Sequence, residues 1–381
     1  MTQMTAQLTS KLADDVYAIS KMASIQVAIN ELNRKYPNLL TFADSNLLNA
    51  RTGGPAGIKI SSAFGFVLLG KGTLTGHAFI LFRGTQLLAD WLTNFNISPA
   101  RSDAGYLVHD GFNKAFNSMK PKLTEFRKVL TKQKIEHVHC IGHSLGGALA
   151  TLCANWLQKT DSTYLYTFGG PRVGLYDFSN YLTTQMTSKR IYRVYHKTDP
   201  VPMIPTWPFV HIPESGQDYW LPSPGVLPSP EYHSMDKYTV SVSTHSWGTL
   251  SGFREAYKDD VQIAQWLMEK TRATFSMNTL RWLSSALLYV LKKIKAMVST
   301  QQSIGQFTVM DHLAYVLAKG INLAETLSKW VLLFIRKVME VLGLKPVEKT
   351  EELNKDFIRN MLNRLQAKIN TQVDAALRYQ M

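Results

Sequence analysis

From residue 60 to 200, short apolar runs alternate with longer amphipathic stretches, as in βα units around a mostly parallel sheet. Residues 64–69 and 79–82 predict strands, with Lys71-Gly72 turning between them. In 111–132, Phe112, Phe116, Leu123, Phe126 and Leu130 recur on one face, so this stretch predicts a helix. A strand at 137–141 runs into Gly142, and the apolar, Ala-rich 145–158 predicts a buried helix. Further strands follow at 162–168, closed by Gly169-Gly170-Pro171, and at 190–195, closed by Asp199-Pro200. Residues 200–235 hold nine prolines and predict a long irregular segment, a kind of loop that in a compact domain is usually functional.

Beyond 275 the period changes to a helical one. Leu280, Leu283, Leu287, Leu288 and Leu291 form one stripe; Leu313, Val316, Leu317 and Ile321 form a second. Val331, Phe334, Ile335, Val338 and Val341 make a third, and Leu353, Phe357, Met361 and Leu365 a fourth. Gly343 and Pro346 predict the stop of one helix and the approach to the next. The expectation is an α/β domain over 1–270 followed by an all-helical part over 271–381.

Composition sharpens that boundary. The chain has 381 residues with 45% apolar and 18% charged, enough for a sizeable core. Net charge is +14, and residues 271–381 carry 16 Lys/Arg against 8 Asp/Glu, about three times more basic per residue than 1–270. Two cysteines, Cys140 and Cys153, both in apolar runs, predict buried free thiols and exclude a disulfide scaffold. The first twenty residues lack the basic start and apolar run of a secretory leader. No stretch reaches 18 uncharged apolar residues, since 330–335 is cut by Arg336-Lys337. The expectation is a protein without leader or membrane span, cytoplasmic or exported by another route.

The candidate chemistry centres on Gly142-His143-Ser144-Leu145-Gly146, which fits G-x-S-x-G between a predicted strand and a predicted helix. A serine on such a strained turn is a nucleophile candidate, and the helix start aims N–H groups at a developing oxyanion. Its hydroxyl needs an imidazole to take the proton and a carboxylate to orient the imidazole, in the chain order Ser, acid, His. Asp161 follows a helix and Asp177 lies in a helical stretch. Asp199, at a strand's carboxyl end, is the better acid. His211, His233 and His245 all follow Asp199. His211 sits in an extended apolar run and reads as packed, whereas His233 lies in the polar Pro230-Glu231-Tyr232-His233-Ser234 loop. His143 and His196 read as structural.

These strings together carry a resemblance. GHSLGGALA, preceded by FRGTQLLADWLTNF and VHDGF and followed by TFGGPRVG and YHKTDPVPMIP, resembles the class 3 lipase family of α/β-hydrolases over about residues 55–250. The resemblance implies Ser144 as nucleophile, Asp199 as acid in a D-x-V-P-like motif, and His233, a few residues ahead of Tyr238, as base. It implies an oxyanion hole from the backbone N–H groups of Thr85 and Leu145. It also places a lid on the segment after the hole, where Leu87, Leu88 and Trp91 would form the apolar face.

The resemblance does not reach the last 110 residues. There, Lys292, Lys293, Lys295, Arg336 and Lys337, with exposed-looking Trp282 and Trp330, fit either a lipid-surface contact or a bundle with its lysines in water. A protein partner for this part is a third reading. Nucleic acid is not expected, for no reading motif accompanies the charge. The expected function is a serine ester hydrolase, of phospholipase A or triacylglycerol lipase type, releasing fatty acid through an acyl-enzyme, with no cofactor and no metal. The alternatives are an esterase for small soluble esters and a catalytically silent lipid- or protein-binding module.

Overall fold

The computed structural model describes residues 4–53, 59–85, 99–157, 162–213, 218–254, 258–297 and 309–379. Among them, seven strands build the main sheet in the order β1 (Leu47–Gly53), β2 (Lys59–Leu69), β3 (His77–Phe82), β6 (His137–His143), β7 (Thr163–Phe168), β9 (Ile191–His196) and β11 (Tyr219–Leu221). The β1–β2 and β2–β3 pairs are antiparallel, and every later pair is parallel. A small second sheet joins β10 (Phe209–Val210), β8 (Gly174–Leu175), β5 (Leu107–His109) and β4 (Pro99–Arg101). The fold is of the α/β-hydrolase class with a helical C-terminal part, the class expected from the periodicity and the resemblance.

Each side of the sheet has its own cover, which explains why β3 is buried along its whole length. One face packs α1 (Ala6–Asp15) and α2 (Ile25–Lys35), joined by α6 (Met235–Val242) and Trp247. The Gln7 side-chain amide donates to the carbonyls of Val242 and His245, at 3.2 and 2.7 Å, and so ties α1 to the end of α6. The other face packs α3 (Asp110–Lys132) and α4 (Leu145–Leu157), whose residues are buried on nearly all sides as their composition predicts. Cys140 and Cys153 are buried free thiols there.

That second apolar core does not stop at residue 270. It runs from Met203, Ile204 and Phe209 through Ile263 and Leu267 of α7 (Asp260–Met268) into four long helices. These are α8 (Met277–Met297), α9 (Val309–Ile321), α10 (Glu325–Leu342) and α11 (Lys355–Tyr379), matching the four predicted stripes, with Gly343 in left-handed conformation closing α10. The Lys337 ammonium donates to the carbonyls of Glu269 and Thr271, both at 2.9 Å, and lies 3.5 Å from Glu340. Helix α11 lies along two turns of the α/β part, 201–203 and 230–233.

Two expectations for the helices need correction. Trp282 and Trp330 are half-buried, not presented at a surface: Trp282 stacks on Trp266 at 5.6 Å between centroids, and Trp330 meets the Tyr289 ring edge-on at 5.3 Å. Lys337 is buried, while Lys292 remains exposed. The stripes pack against one another and the α/β part, so the rings that read as exposed are spent on helix contacts. None of the described helices is long and apolar enough to cross a membrane.

Candidate active site

Ser144 sits between the end of β6, the sheet's fourth strand, and the first residue of α4. Its φ is +55°, a left-handed value that costs a non-glycine residue about 1–3 kcal/mol and persists only where the surroundings enforce it. The enforcement is visible in the flanking glycines. A Cβ on Gly142 would lie 2.1 Å from the Gly146 carbonyl oxygen, and one on Gly146 would lie 2.1 Å from that of Phe82. Only glycine lets α4 press this closely on β3 and β6, and that closeness holds the serine on its turn.

The structure brings Ser144, His233 and Asp199 together, all three fully buried. His233 Nε2 lies 3.0 Å from Ser144 Oγ, and His233 Nδ1 lies 2.8 Å from Asp199 Oδ2. The other carboxylate oxygen accepts from the Val201 N–H at 2.9 Å, and Oδ2 also accepts from the Tyr238 hydroxyl at 2.6 Å. An ionised Asp199 accepts only, so it fixes the proton on His233 Nδ1 and leaves Nε2 to take one from Ser144. Tyr238 in turn accepts from the His196 N–H at 3.1 Å, and burial together with the Asp199 charge drives its own pKa well up, keeping it a donor.

A second chain of hydrogen bonds passes behind the serine. The Gly84 N–H donates to the Tyr17 hydroxyl at 2.9 Å, and the hydroxyl pairs with His143 Nδ1 at 2.8 Å. His143 Nε2 donates to the His233 carbonyl at 2.7 Å. Burial first, then the neighbouring His233, lowers the His143 pKa well below the ordinary value, so His143 is neutral and Nδ1 accepts from Tyr17. One path thus connects the strand exit at Gly84, the residue preceding the serine, and the backbone of the candidate base.

The remaining sequence candidates fall into place around this centre. Thr85 follows Gly84 at the exit of β3, and Gly84 itself abuts Ser144: a Cβ there would sit 2.9 Å from that of Ser144. Leu145 opens α4 and is fully buried. His196 is held by the Tyr232 carbonyl at 2.7 Å and Ser241 Oγ at 2.9 Å, and burial lowers its pKa to about 4. His211 stacks over Tyr195, and His245 meets Thr244 and Phe253, so neither joins Ser144. Asp177 is exposed in the first turn of α5 (Tyr176–Met186). Asp161 and the lid residues Leu87, Leu88 and Trp91 lie outside the described residues. Tyr17, more than a hundred residues before Ser144, was invisible to a reading of local strings. Tyr238 served there only as a landmark for His233.

Residues 79–209 match the model of the lipase (class 3) family, a narrower span than the resemblance read over about 55–250. Ser144, Thr85, Leu145 and Asp199 lie inside that span, whereas His233 lies beyond it. A secreted mono- and diacylglycerol lipase 1 from Fusarium solani is 37% identical over 143 residues, covering 36% of this chain and 42% of that protein. A lipase from Rhizomucor miehei is 30% identical over 165 residues, covering 40% of this chain and 44% of that one. The matches thus span under half the length of these two relatives. A crystal structure of a Penicillium cyclopium MDLA mutant superposes with a TM-score of 0.43 at 22% identity, over 58% of this chain and 80% of that one. The resemblance read from the motifs is thus matched by the family model over residues 79–209, in a chain that continues into a helical C-terminal part.

Proposed function

We propose that the chain is a carboxylic ester hydrolase acting on lipid esters through Ser144, His233 and Asp199. The observation that carries this reading is the contact of 3.0 Å between Ser144 Oγ and His233 Nε2, backed by 2.8 Å from His233 Nδ1 to Asp199. His233 takes the serine proton as Oγ attacks the ester carbonyl, and Asp199 steadies the imidazolium that forms. The backbone N–H groups of Thr85 and Leu145 hold the oxyanion. His233 then returns the proton to the departing alcohol, and water releases the acid from the acyl-serine. The relatives named as mono- and diacylglycerol lipases support acylglycerols as substrates. A phospholipid substrate is the second reading, supported by the net +8 of residues 271–381.

The test is fatty acid release from triacylglycerol emulsions, diacylglycerol and mixed phospholipid vesicles, comparing wild type with Ser144→Ala. Release lost in the variant is the expected result. Release from acylglycerols alone sets the phospholipid reading aside, and turnover confined to short soluble esters would replace the lipase reading by a small-ester esterase. A folded wild type inactive on every ester would point to the binding module.

A further inference from the structure

The turn that carries Asp199 is gripped at both ends by the helical C-terminal part. Past β9 the chain leaves the sheet at Lys197 and turns at 201–203, so neighbouring elements must hold it in place. Arg281 of α8, 7% exposed, donates from Nη2 to the Lys197 carbonyl at 2.5 Å, two residues before Asp199. Gln366 of α11, 3% exposed, accepts through Oε1 from the Thr206 hydroxyl, seven residues after Asp199. The Gln366 amide also donates from Nε2 to Asn370 Oδ1 at 2.7 Å, which fixes the way it faces.

Arg172 adds a third tie between these two. Its backbone N–H donates to the Ile204 carbonyl at 2.8 Å and its Nη1 to that of Pro205 at 3.4 Å, while Nη2 reaches Ser284 Oγ on α8 at 3.0 Å. These contacts border a cavity of about 350 Å³ beside α8, lined by Arg172, Arg193 and Arg281, with Asp218 paired to Arg193 at 3.2 Å. The loop of His233 is tied to the same frame. The Met277 N–H, at the start of α8, donates to the Val226 carbonyl at 2.8 Å, and the Ser229 N–H donates to the Thr198 carbonyl at 2.9 Å. Helix α11 then lies along 230–233.

Apolar packing alone would join these helices to the sheet, but it tolerates small slips. Directional hydrogen bonds from buried side chains set position, and burying such polar groups is costly unless they are satisfied. Arg281 and Gln366 direct theirs to the two ends of one segment, and inside it the Val201 N–H holds Asp199 Oδ1 at 2.9 Å. Groups that move a proton must be kept within about 0.5 Å of their working geometry. We propose that Arg281 and Gln366 are positioning residues, which hold the Asp199 turn in register with His233. This assignment rests on the hydrolase reading, and it makes the helical part a component of the site. Both residues lie beyond residue 209, where the family match ends.

The test uses full-length variants and p-nitrophenyl butyrate, a soluble ester that needs no lipid surface. Thr206→Val severs the hold of Gln366 with little change of shape, and Arg281→Met removes the donor while keeping its length. Each should lower kcat roughly tenfold with KM within about twofold, because the reacting groups lose register while the ester binds as before. Thr206→Ser, which restores the hydroxyl, should return kcat to near wild type. Leu327→Ala opens the core of α10 without touching either tie, and should lower Tm yet leave kcat unchanged. A second readout needs no turnover: the proton between His233 Nδ1 and Asp199, followed far downfield by NMR, should shift or broaden in Thr206→Val and Arg281→Met but not in Leu327→Ala. A wild type that hydrolyses no ester would remove the hydrolase reading, and this proton would then decide the positioning role by itself. Wild-type kcat and an unmoved proton in both variants overturn the proposal, as does an equal loss of kcat in Leu327→Ala. Should Arg281→Met fail to fold, Thr206→Val with its serine rescue carries the same decision.

Discussion

The protein buries two polar clusters, and they are built on opposite principles. Around Ser144 every described group answers another: Asp199 accepts from His233, Tyr238 and Val201, and His143 links Tyr17 to the His233 carbonyl. Around the cavity beside α8, by contrast, Arg172, Arg193 and Arg281 face Asp218 as the single buried carboxylate among the described lining residues. The first cluster joins its groups by hydrogen bonds within the chain. The second ties its three cations to neutral oxygens as well as to Asp218. Polar burial by itself thus says little about what a cluster does.

The sharpest way to break the first cluster is at the serine. Ser144→Ala should lower kcat on a soluble ester by about 10⁴-fold or more while leaving the circular dichroism unchanged. Asp199→Asn should approach that loss, because the amide no longer fixes the proton on Nδ1, and a normal melting temperature would separate this from misfolding. Tyr238→Phe removes one of the hydrogen bonds to Asp199, and a fall of roughly tenfold in kcat with little change in KM is expected. Removing a cation from the second cluster should act differently. Arg193→Gln should cost more stability than Tyr238→Phe, as read by urea denaturation, because it leaves the buried Asp218 carboxylate without the cation that it pairs with.

Acid should also tell on the polar interior. His109 and His196 have pKa values lowered to about 4 and His139 to about 3, each chiefly by burial. Their folded values lie below the ordinary 6.5, so above that pH they cost nothing. As pH falls below 6.5 the unfolded chain takes up protons that the native state refuses. Stability is then lost, at about 1.4 kcal/mol per pH unit for each histidine, until the folded values near 4 and 3 are reached. Thermal melts between pH 7 and 4 should show a steadily falling Tm, and a flat profile would contradict the burial of these rings.

The sequence disclosed the two regions unequally for physical reasons. Gly142 to Gly146 is a local device: a strand, a strained turn and a helix within a few residues leave their mark in adjacent letters. The four C-terminal helices were equally plain, since a helix repeats its buried face every three or four positions. What the helices do with their polar residues was hidden. Lys337 reads as one more solvated lysine, yet it is buried against the carbonyls of Glu269 and Thr271, partners more than sixty positions earlier. Tyr17 and the three cavity arginines were missed likewise, because only the tertiary fold places them together. Periodicity reports which side of an element is covered, not by what.

The placement of α11 has a consequence for how the protein is made. This helix lies along the turns 201–203 and 230–233, which follow Asp199 and end in His233. A ribosome delivers Ser144 and Asp199 early, but the helix that braces the loop of the candidate base emerges more than a hundred residues after that base. During synthesis Ser144 is therefore present long before the loop that carries His233 is braced. In a nascent chain the Ser144 turn can form well before the last support of the His233 loop has been made.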